Sequence, residues 1–415
     1  MSILKRRYML SLGKSDRLPS AYQEIEYIES TGTQFIDTGI SDIFSNKIEF
    51  EFGFSYKRQA SNVEYAVFGS KDSNGQGLTC YFPHSYLMDT LSCWCGSGTS
   101  WNVIALTENT KHSGKATFNV GTGRTFIVDN TIYTNASVAN NAINNGSIFG
   151  LFSDKADTLN SGLIGKIYYW KCKKDGVLVA DFVPCYRKSD SEVGMYDLVS
   201  GTFFTNQGSG EFLAGVSILS RKQQELYQQV ENIESTGTQY IETSIVPSNT
   251  KGIYIDFADN DVSNDTVLIG SKATNVNDRF GFGTNLDKFT HYYGTGNNMN
   301  DRPSIVAGTR HNAYLKYGVQ KFDGNDVTGR NWSDVSSTTF SQPIYIFCGN
   351  WNGGANYYSK SKFYCARIDD NGIFILDLVP CYRKSDSEAG LLDVVNDVFY
   401  ANQGSGSFIM GGGNT

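Results

Sequence analysis

Tyr22–Ile40 reads YQEIEYIESTGTQFIDTGI, and Tyr227–Ile245 reads YQQVENIESTGTQYIETSI, one motif displaced by 205 residues. Outward from it, FGSK at Phe68–Lys71 returns as IGSK at Ile269–Lys272, displaced by 201, and Lys111-His112 returns as Arg310-His311, displaced by 199. From Ile148 to Gly215 the chain aligns without a gap onto Ile344 to Gly411, displaced by 196. The anchors keep their order while the displacement shrinks, so the second copy lacks short pieces in loops between shared strands. A period near 200 residues is too long for a solenoid and marks a duplicated domain. The blocks most alike are DFVPCYRKSDSEVGMYDLVSGTFFTNQGSGEF at Asp181–Phe212 and DLVPCYRKSDSEAGLLDVVNDVFYANQGSGSF at Asp377–Phe408.

Each copy reads as antiparallel β. Lys47–Tyr56, KIEFEFGFSY, alternates charged or small residues with aromatics and Ile, the period of a half-buried strand, and GIYIDF at Gly252–Phe257 repeats it. Hairpin turns are expected at matching places: Asp175-Gly176 with Asn371-Gly372, Ser200-Gly201 with Asn396-Asp397, and Asp129-Asn130 with Asp323-Gly324. Across 415 residues, 13% aromatics, 43 glycines and only 7 prolines favour strands and turns over helices. This composition excludes a collagen-like, disordered or coiled-coil chain. No apolar run approaches the ~18 residues of a membrane-spanning helix, so no membrane insertion is expected. The reading is all-β, two tandem jelly-roll sandwiches. It divides into a basic N-terminal arm (1–20), module one (21–215), a linker (216–226), module two (227–411) and a tail (412–415). The linker, GVSILSRKQQEL from Gly215, has no Pro and little Gly, and is expected to be a short helical or extended joint.

The net charge of −7 argues against a general nucleic-acid binder. The first twenty residues are the exception, with Lys5, Arg6, Arg7, Lys14 and Arg17 against Asp16. The apolar stretch Tyr8–Leu12 is too short for a secretory signal, so the segment reads as a docking arm ordered against a partner, with Lys5, Arg6 and Arg7 as its contacts. Eight cysteines at irregular spacing then read as reduced thiols of a protein made in a cytoplasm.

The two end blocks, and a short basic head like MSILKRRYML before the first copy, resemble the concanavalin A-like (LamG-like) jelly-roll modules in virion and tail proteins of phages and prophages from gut bacteria. The resemblance covers Tyr22–Gly215 and Tyr227–Gly411. It implies a concanavalin A-like fold and a location on a virion, with other virion proteins and host surface polysaccharide as partners and a homo-oligomer as a further possibility. It fixes neither ligand nor position on the particle.

Several constellations invite chemistry. Glu24-x-Glu26-x-x-Glu29 is spaced like the acidic triplet of family-16 glucanases, which share the jelly roll. It lies at the edge of the domain, the second copy has Gln229 in place of the first carboxylate while keeping Glu231 and Glu234, and it runs into a turn both copies share. The expectation is therefore a non-enzymatic protein with no catalytic residue, and a glycoside hydrolase is the alternative. Cys80, His84, Cys93 and Cys95 match no common zinc spacing, and neither a metal nor a cofactor is expected. Asp256, Asp259, Asp261 and Asp265 form an acidic stretch that reads as solvated turn residues, with a calcium loop as the alternative, since laminin-type modules often bind calcium at loops. Arg187-Lys188 and Arg383-Lys384, near Asp197 and Asp393, read as ion-pair clamps, and His112 and His311 as fold residues shared by both copies. Cys185 and Cys381, at one shared position, read as buried small residues. Trp94, Trp101, Trp332 and Trp351 lie in Gly/Ser/Asn-rich stretches that read as loops, and are the candidate sugar-stacking residues, whereas Trp170 reads as a strand residue. The function expected is a phage virion structural protein (fibre, tail or capsid-surface appendage) that contacts host glycans. The further alternative is a purely architectural capsid decoration protein.

Overall fold

The computed structural model describes residues 17–59, 64–83, 89–96, 99–120, 123–135, 146–155, 162–273, 278–295, 302–327 and 339–412, with only the backbone at 95–96, 99–103, 135 and 295. The arm residues Lys5, Arg6 and Arg7, together with His84 and Trp332, lie outside it, as do the side chains of Cys95 and Trp101.

Among the described residues the protein is nearly all β, two tandem jelly-roll sandwiches with one short helix. By its contacts the chain divides into Arg17–Arg187 with Glu192–Gly215, and Val216–Thr415 with the turn Lys188–Ser191. The larger sheet of module one runs, in spatial order, Thr131–Asn135, Gly123–Val128, His112–Asn119, Lys47–Tyr56, Ile164–Lys174, Val177–Arg187, Val193–Asp197 and Thr202–Thr205. In module two the order is Asn325–Asp326, Val319–Phe322, Arg310–Lys316, Lys251–Asp259, Ser361–Asp370, Ile373–Arg383, Ala389–Asp393 and Val398–Ala401. Strand for strand the two orders agree. The smaller sheets share a core order too: Ile36–Ser41, Ile148–Leu151, Tyr65–Gly69, Gly77–Phe82 and Thr90–Gly96 in one copy, and Ile241–Glu242, Tyr345–Ile346, Thr266–Lys272, Asp278–Asn285 and Lys288–Thr295 in the other.

The turns sit where the Asx residues and glycines place them. Asp175-Gly176, Asn371-Gly372, Asp323-Gly324 and Asp129-Asn130 hold positive φ at both positions, the geometry that lets a two-residue hairpin follow the twist of its strands. The two most similar blocks of the repeat are physically one clasp. In ESTGTQ the Gln34 Oε1 accepts from Thr31 N at 2.8 Å and from Ser30 Oγ at 3.0 Å, closing the turn over Gly32. The turn then locks onto NQGSG. Asn206 Oδ1 accepts from Phe35 N at 3.1 Å and Gly208 N at 2.8 Å, and Thr33 Oγ1 donates to Ser209 O at 2.9 Å. Module two repeats this with Gln239, Asn402, Gly404 and Thr238. A Cβ at Gly208 or Gly404 would meet the Thr33 or Thr238 carbonyl at 2.1 or 2.0 Å, so only glycine fits there.

Aromatics close module one between its sheets. Phe50 of the larger sheet lies 4.9 Å from Phe68 and 5.0 Å from Phe149 of the smaller, with Trp170 fully buried beside them at 5.6 Å from Phe50. Each such contact adds about 0.5–1.5 kcal/mol to the burial of the rings. Module two closes a cluster drawn wholly from its own residues, Val230 to Phe408, with Ile253, Ile255 and Phe257 facing Leu268, Ile269, Phe280 and Phe282.

A smaller cluster covers the opposite face of the last strands in each copy. Leu18 packs on Val183 and Cys185, and Leu219 packs on Val379, Cys381, Leu392 and Val394. The arm's last residues thus belong to module one. Residues 216–226, read from sequence as a linker, pack on module two and carry the short helix Arg221–Leu226, capped by Ser220 and Gln223. Cys185 and Cys381 are buried as expected, and burial raises both thiols, Cys381 to about 12.

Candidate functional site

The smaller sheet slips by one residue between Ala66 and Phe68, and again between Val267 and Ile269. After the slip Gly69 faces Thr79, and Gly270 faces Gly281, so the two ladders can be superposed residue by residue. Strand alternation sends Leu78, Cys80 and Phe82 inward in module one, and Phe280 and Phe282 inward in module two. Thr79 and Tyr81 turn outward, and their counterparts are Gly281 and Gly283.

That exchange makes room for the Tyr292 ring, which a Cβ at Gly283 would meet at 2.8 Å. In module one the Tyr81 ring is 4% exposed and fills the outer face. Lys71 Nζ lies 5.3 Å from the Tyr81 ring and 5.6 Å from the Trp94 ring, and pairs with Asp154 at 3.2 Å and Glu64 at 3.7 Å. In module two a cavity of about 70 Å³ is lined by Asp265, Arg279, Asn285, Thr290, Tyr292 and Arg302. Thr290 is 5% exposed, and among the described residues its Oγ1 and the buried Nε of Arg302 have no hydrogen-bond partner. Arg302 Nη2 donates to Asn285 O at 2.9 Å. The Tyr292 hydroxyl is pushed up to about 12, first by burial and then by Asp265, against the opposing pull of Arg279 and Arg302.

Beside the cleft is an aromatic platform. Gly349–Trp351 pairs in parallel with Thr266–Lys272, and Trp351 ends that strand, opposite Lys272. Its ring packs on Tyr357 at 4.1 Å, with Lys272 Nζ at 5.2 Å and the Arg279 guanidinium at 5.0 Å. Arg279 also lies 5.7 Å from the Tyr292 ring and so joins the platform to the cleft.

Trp94, Trp101 and Trp351 stand in strands rather than in the loops expected of them. At Trp351 the small residue serves packing rather than a turn: the indole lies over Gly349, where a Cβ would meet its Nε1 at 2.6 Å. Trp170 is a buried strand residue, as expected. Arg279, Thr290, Tyr292 and Arg302 were missed. Counting from the shared GSK sets Thr79 and Tyr81 against Phe280 and Phe282, and only the ladder, displaced by one more residue, sets Gly281 and Gly283 against them.

The acidic triplet does not converge. Glu24 lies in Tyr22–Glu24 and pairs with Arg17, Glu26 approaches Lys111 at 3.9 Å, and Glu29 lies in Ile28–Thr31, 3.6 Å from Lys166. These two short strands join different neighbours, Val177–Arg187 and Ile164–Lys174. Cys80 and Cys93 face each other across a strand pair and point into the core. The acidic stretch is a solvated turn only in its second half: Asp261 and the exposed Asp265 lie in the turn after the strand, whereas Asp256 and Asp259 are buried in the strand. Asp256 takes Arg310 in a fork at 2.7 and 2.6 Å, Asp259 accepts from Thr284 Oγ1 at 2.7 Å, and Asp261 pairs with Lys360 at 3.2 Å. Burial raises the Asp259 carboxyl, whereas hydrogen bonding from Asn264 lowers that of Asp261.

Arg383 does form a clamp, but within its own turn, to Asp386 at 2.7 Å and to Glu388. Asp197 and Asp393 instead accept backbone N–H groups, from Asp181 at 2.8 Å and Asp377 at 3.1 Å. A carboxylate two residues before a turn caps its amides more readily than it reaches a distant arginine. His112 and His311 bind Asp129 and Asp323 through Nδ1 at 2.7 and 2.8 Å, tying the same hairpin in both copies.

No family model matches the chain, and no curated protein matches it. Among solved structures, domains LG4-5 of the mouse laminin alpha1 chain are 13% identical, covering 97% of this chain and 99% of that one, with a TM-score of 0.32. The botulinum neurotoxin serotype C1 binding domain is 10% identical, covering 95% of this chain and 91% of that one, with a TM-score of 0.26. The fold rests on the strand order of this chain itself and not on these likenesses.

Proposed function

We propose that this chain is a non-enzymatic structural protein of a phage virion, a fibre, tail or capsid-surface appendage, whose lectin-like second module contacts saccharide on the host surface. The observation that carries the contact is the outer face of its smaller sheet, where the Trp351 ring, Lys272 and Arg279 adjoin a polar cleft. A flat indole packs on the apolar face of a pyranose, and convergent polar groups fix its orientation. The particle assignment is supported by the end blocks and basic head of the sequence, with Lys5, Arg6 and Arg7 as the docking contacts and other virion proteins as partners. A non-catalytic role is supported by the triplet, whose carboxylates engage separate cations on two strands, whereas glycoside hydrolysis needs two carboxyls facing one bond. Many copies on one particle turn weak single contacts into firm attachment.

Module one favours the second reading, architectural decoration, because its corresponding face is filled by Tyr81 and its lysine is neutralised. A glycan array probed with the full chain separates the two. The expected result is binding to a subset of host capsular saccharides, weakened at least about tenfold by Trp351→Ala (~1.4 kcal/mol) with the melting temperature kept. Silence across the array, with the chain located on a particle by cryo-electron microscopy, leaves decoration as the function.

A further inference from the structure

Resting on the saccharide reading of module two, we infer that its ligand is an acidic saccharide, with a carboxylate seated between Arg279 and Arg302 and the sugar ring lying toward Trp351. Size comes first. About 70 Å³ holds a few waters or one carboxylate, and is too small for a pyranose ring. The cleft therefore takes a group that projects from a sugar, and the ring stays outside, on the side where Arg279 meets Trp351.

Charge comes second. Two guanidinium groups face one carboxylate, Asp265, which leaves the lining with a positive surplus. The buried Arg302 Nε and the buried Thr290 hydroxyl, which have no partner among the described residues, both offer a hydrogen. Buried donors without an acceptor are costly, and a carboxylate supplies acceptors at several angles at once. Guanidinium is also the side chain best shaped to take a carboxylate, through paired charge-assisted hydrogen bonds.

The exposed Asp265 in the lining can accept from a sugar hydroxyl next to the carboxylate, a contact that a bare inorganic anion does not offer.

The test titrates the full chain with trigalacturonate, a hyaluronan tetrasaccharide and sialyllactose, each beside its carboxyl-reduced form, with sodium sulfate as a separate arm. The expected result is that at least one acidic member binds tenfold or more tightly than its reduced partner, and weakens as salt is raised. Arg279→Gln and Arg302→Gln should each cost about tenfold with the melting temperature unchanged. Thr290→Val, which keeps the packing, should cost several-fold even if an arginine variant unfolds. Equal binding of acidic and reduced forms overturns the acidic assignment and leaves the saccharide reading standing. Full competition by sulfate at equal concentration makes this a free-anion site and overturns it as well. If no member binds while Trp351-dependent binding persists on the array, the inference alone falls; a silent array removes the saccharide reading with it.

Discussion

One cross-strand ion pair occurs in both modules and lives in two different environments. Lys171 Nζ lies 2.7 Å from Asp181 in module one, with the side chains 32% and 14% exposed. At the matching ladder position in module two, Arg367 Nε lies 3.1 Å from Asp377, at 4% and 0%. The neighbours account for the difference. Glu51 and Leu178 flank the lysine, whereas Tyr254 and Phe374 stand at those positions in module two, 5.8 and 5.5 Å from the guanidinium. Ser217, in the segment before the second copy's first strand, donates to Asp377 at 2.6 Å. A buried pair needs its remaining hydrogen-bond sites filled, and the guanidinium plus an added hydroxyl meets that need better than an ammonium in water. The duplicated scaffold thus accepts a wet lane of charge or a sealed one without a change of strand order.

The largest expected effect breaks this comparison directly. Asp377→Ala should destabilise module two by about 3–5 kcal/mol, because it strands a buried arginine. Asp181→Ala should cost module one less than about 1 kcal/mol, its partner being open to water. Urea unfolding of the two variants reads both, and equal losses would mean that burial does not set the worth of the pair.

A smaller effect sharpens the contrast between Asp259 and Tyr56, which hold the same ladder position. Burial raises the Asp259 carboxyl above its usual range, and raises the Tyr56 hydroxyl to about 12. A raised acid favours its protonated form in the folded state. Its contribution is therefore fully favourable below the unfolded value near 3.8 and is lost as pH rises through the folded value. Asp259→Asn should raise the melting temperature of module two at neutral pH, with the gain fading as pH falls toward 4. Tyr56 stays neutral over that window, so module one carries no matching term at this position. A gain that grows on acidification would contradict the assignment.

Much of this fold was legible in the chain. The alternation in Lys47–Tyr56 named a strand to the residue, because one of its faces meets an aromatic core. The ESTGTQ and NQGSG blocks stood out as a repeat because they bond to each other, so a change in one exposes buried amides in the other. Less of the site was legible. Period-two alternation says that Tyr81 and Gly283 face outward, but not that the Tyr292 ring packs over Gly283 and lines a cavity. The Gly and Ser near Trp94 are turn formers, a local preference for a loop that sheet pairing with Gly77–Phe82 overrides. Leu219 and Ser217 were read as linker because their partners, Val379 and Asp377, lie some 160 residues away.

The most direct test makes residues 17–215 and 216–415 as separate proteins and follows each by calorimetry and two-dimensional amide NMR. Two β sandwiches that each close their own core should give two dispersed spectra and two single cooperative transitions. A half that stays collapsed and featureless until the other is added would contradict the account.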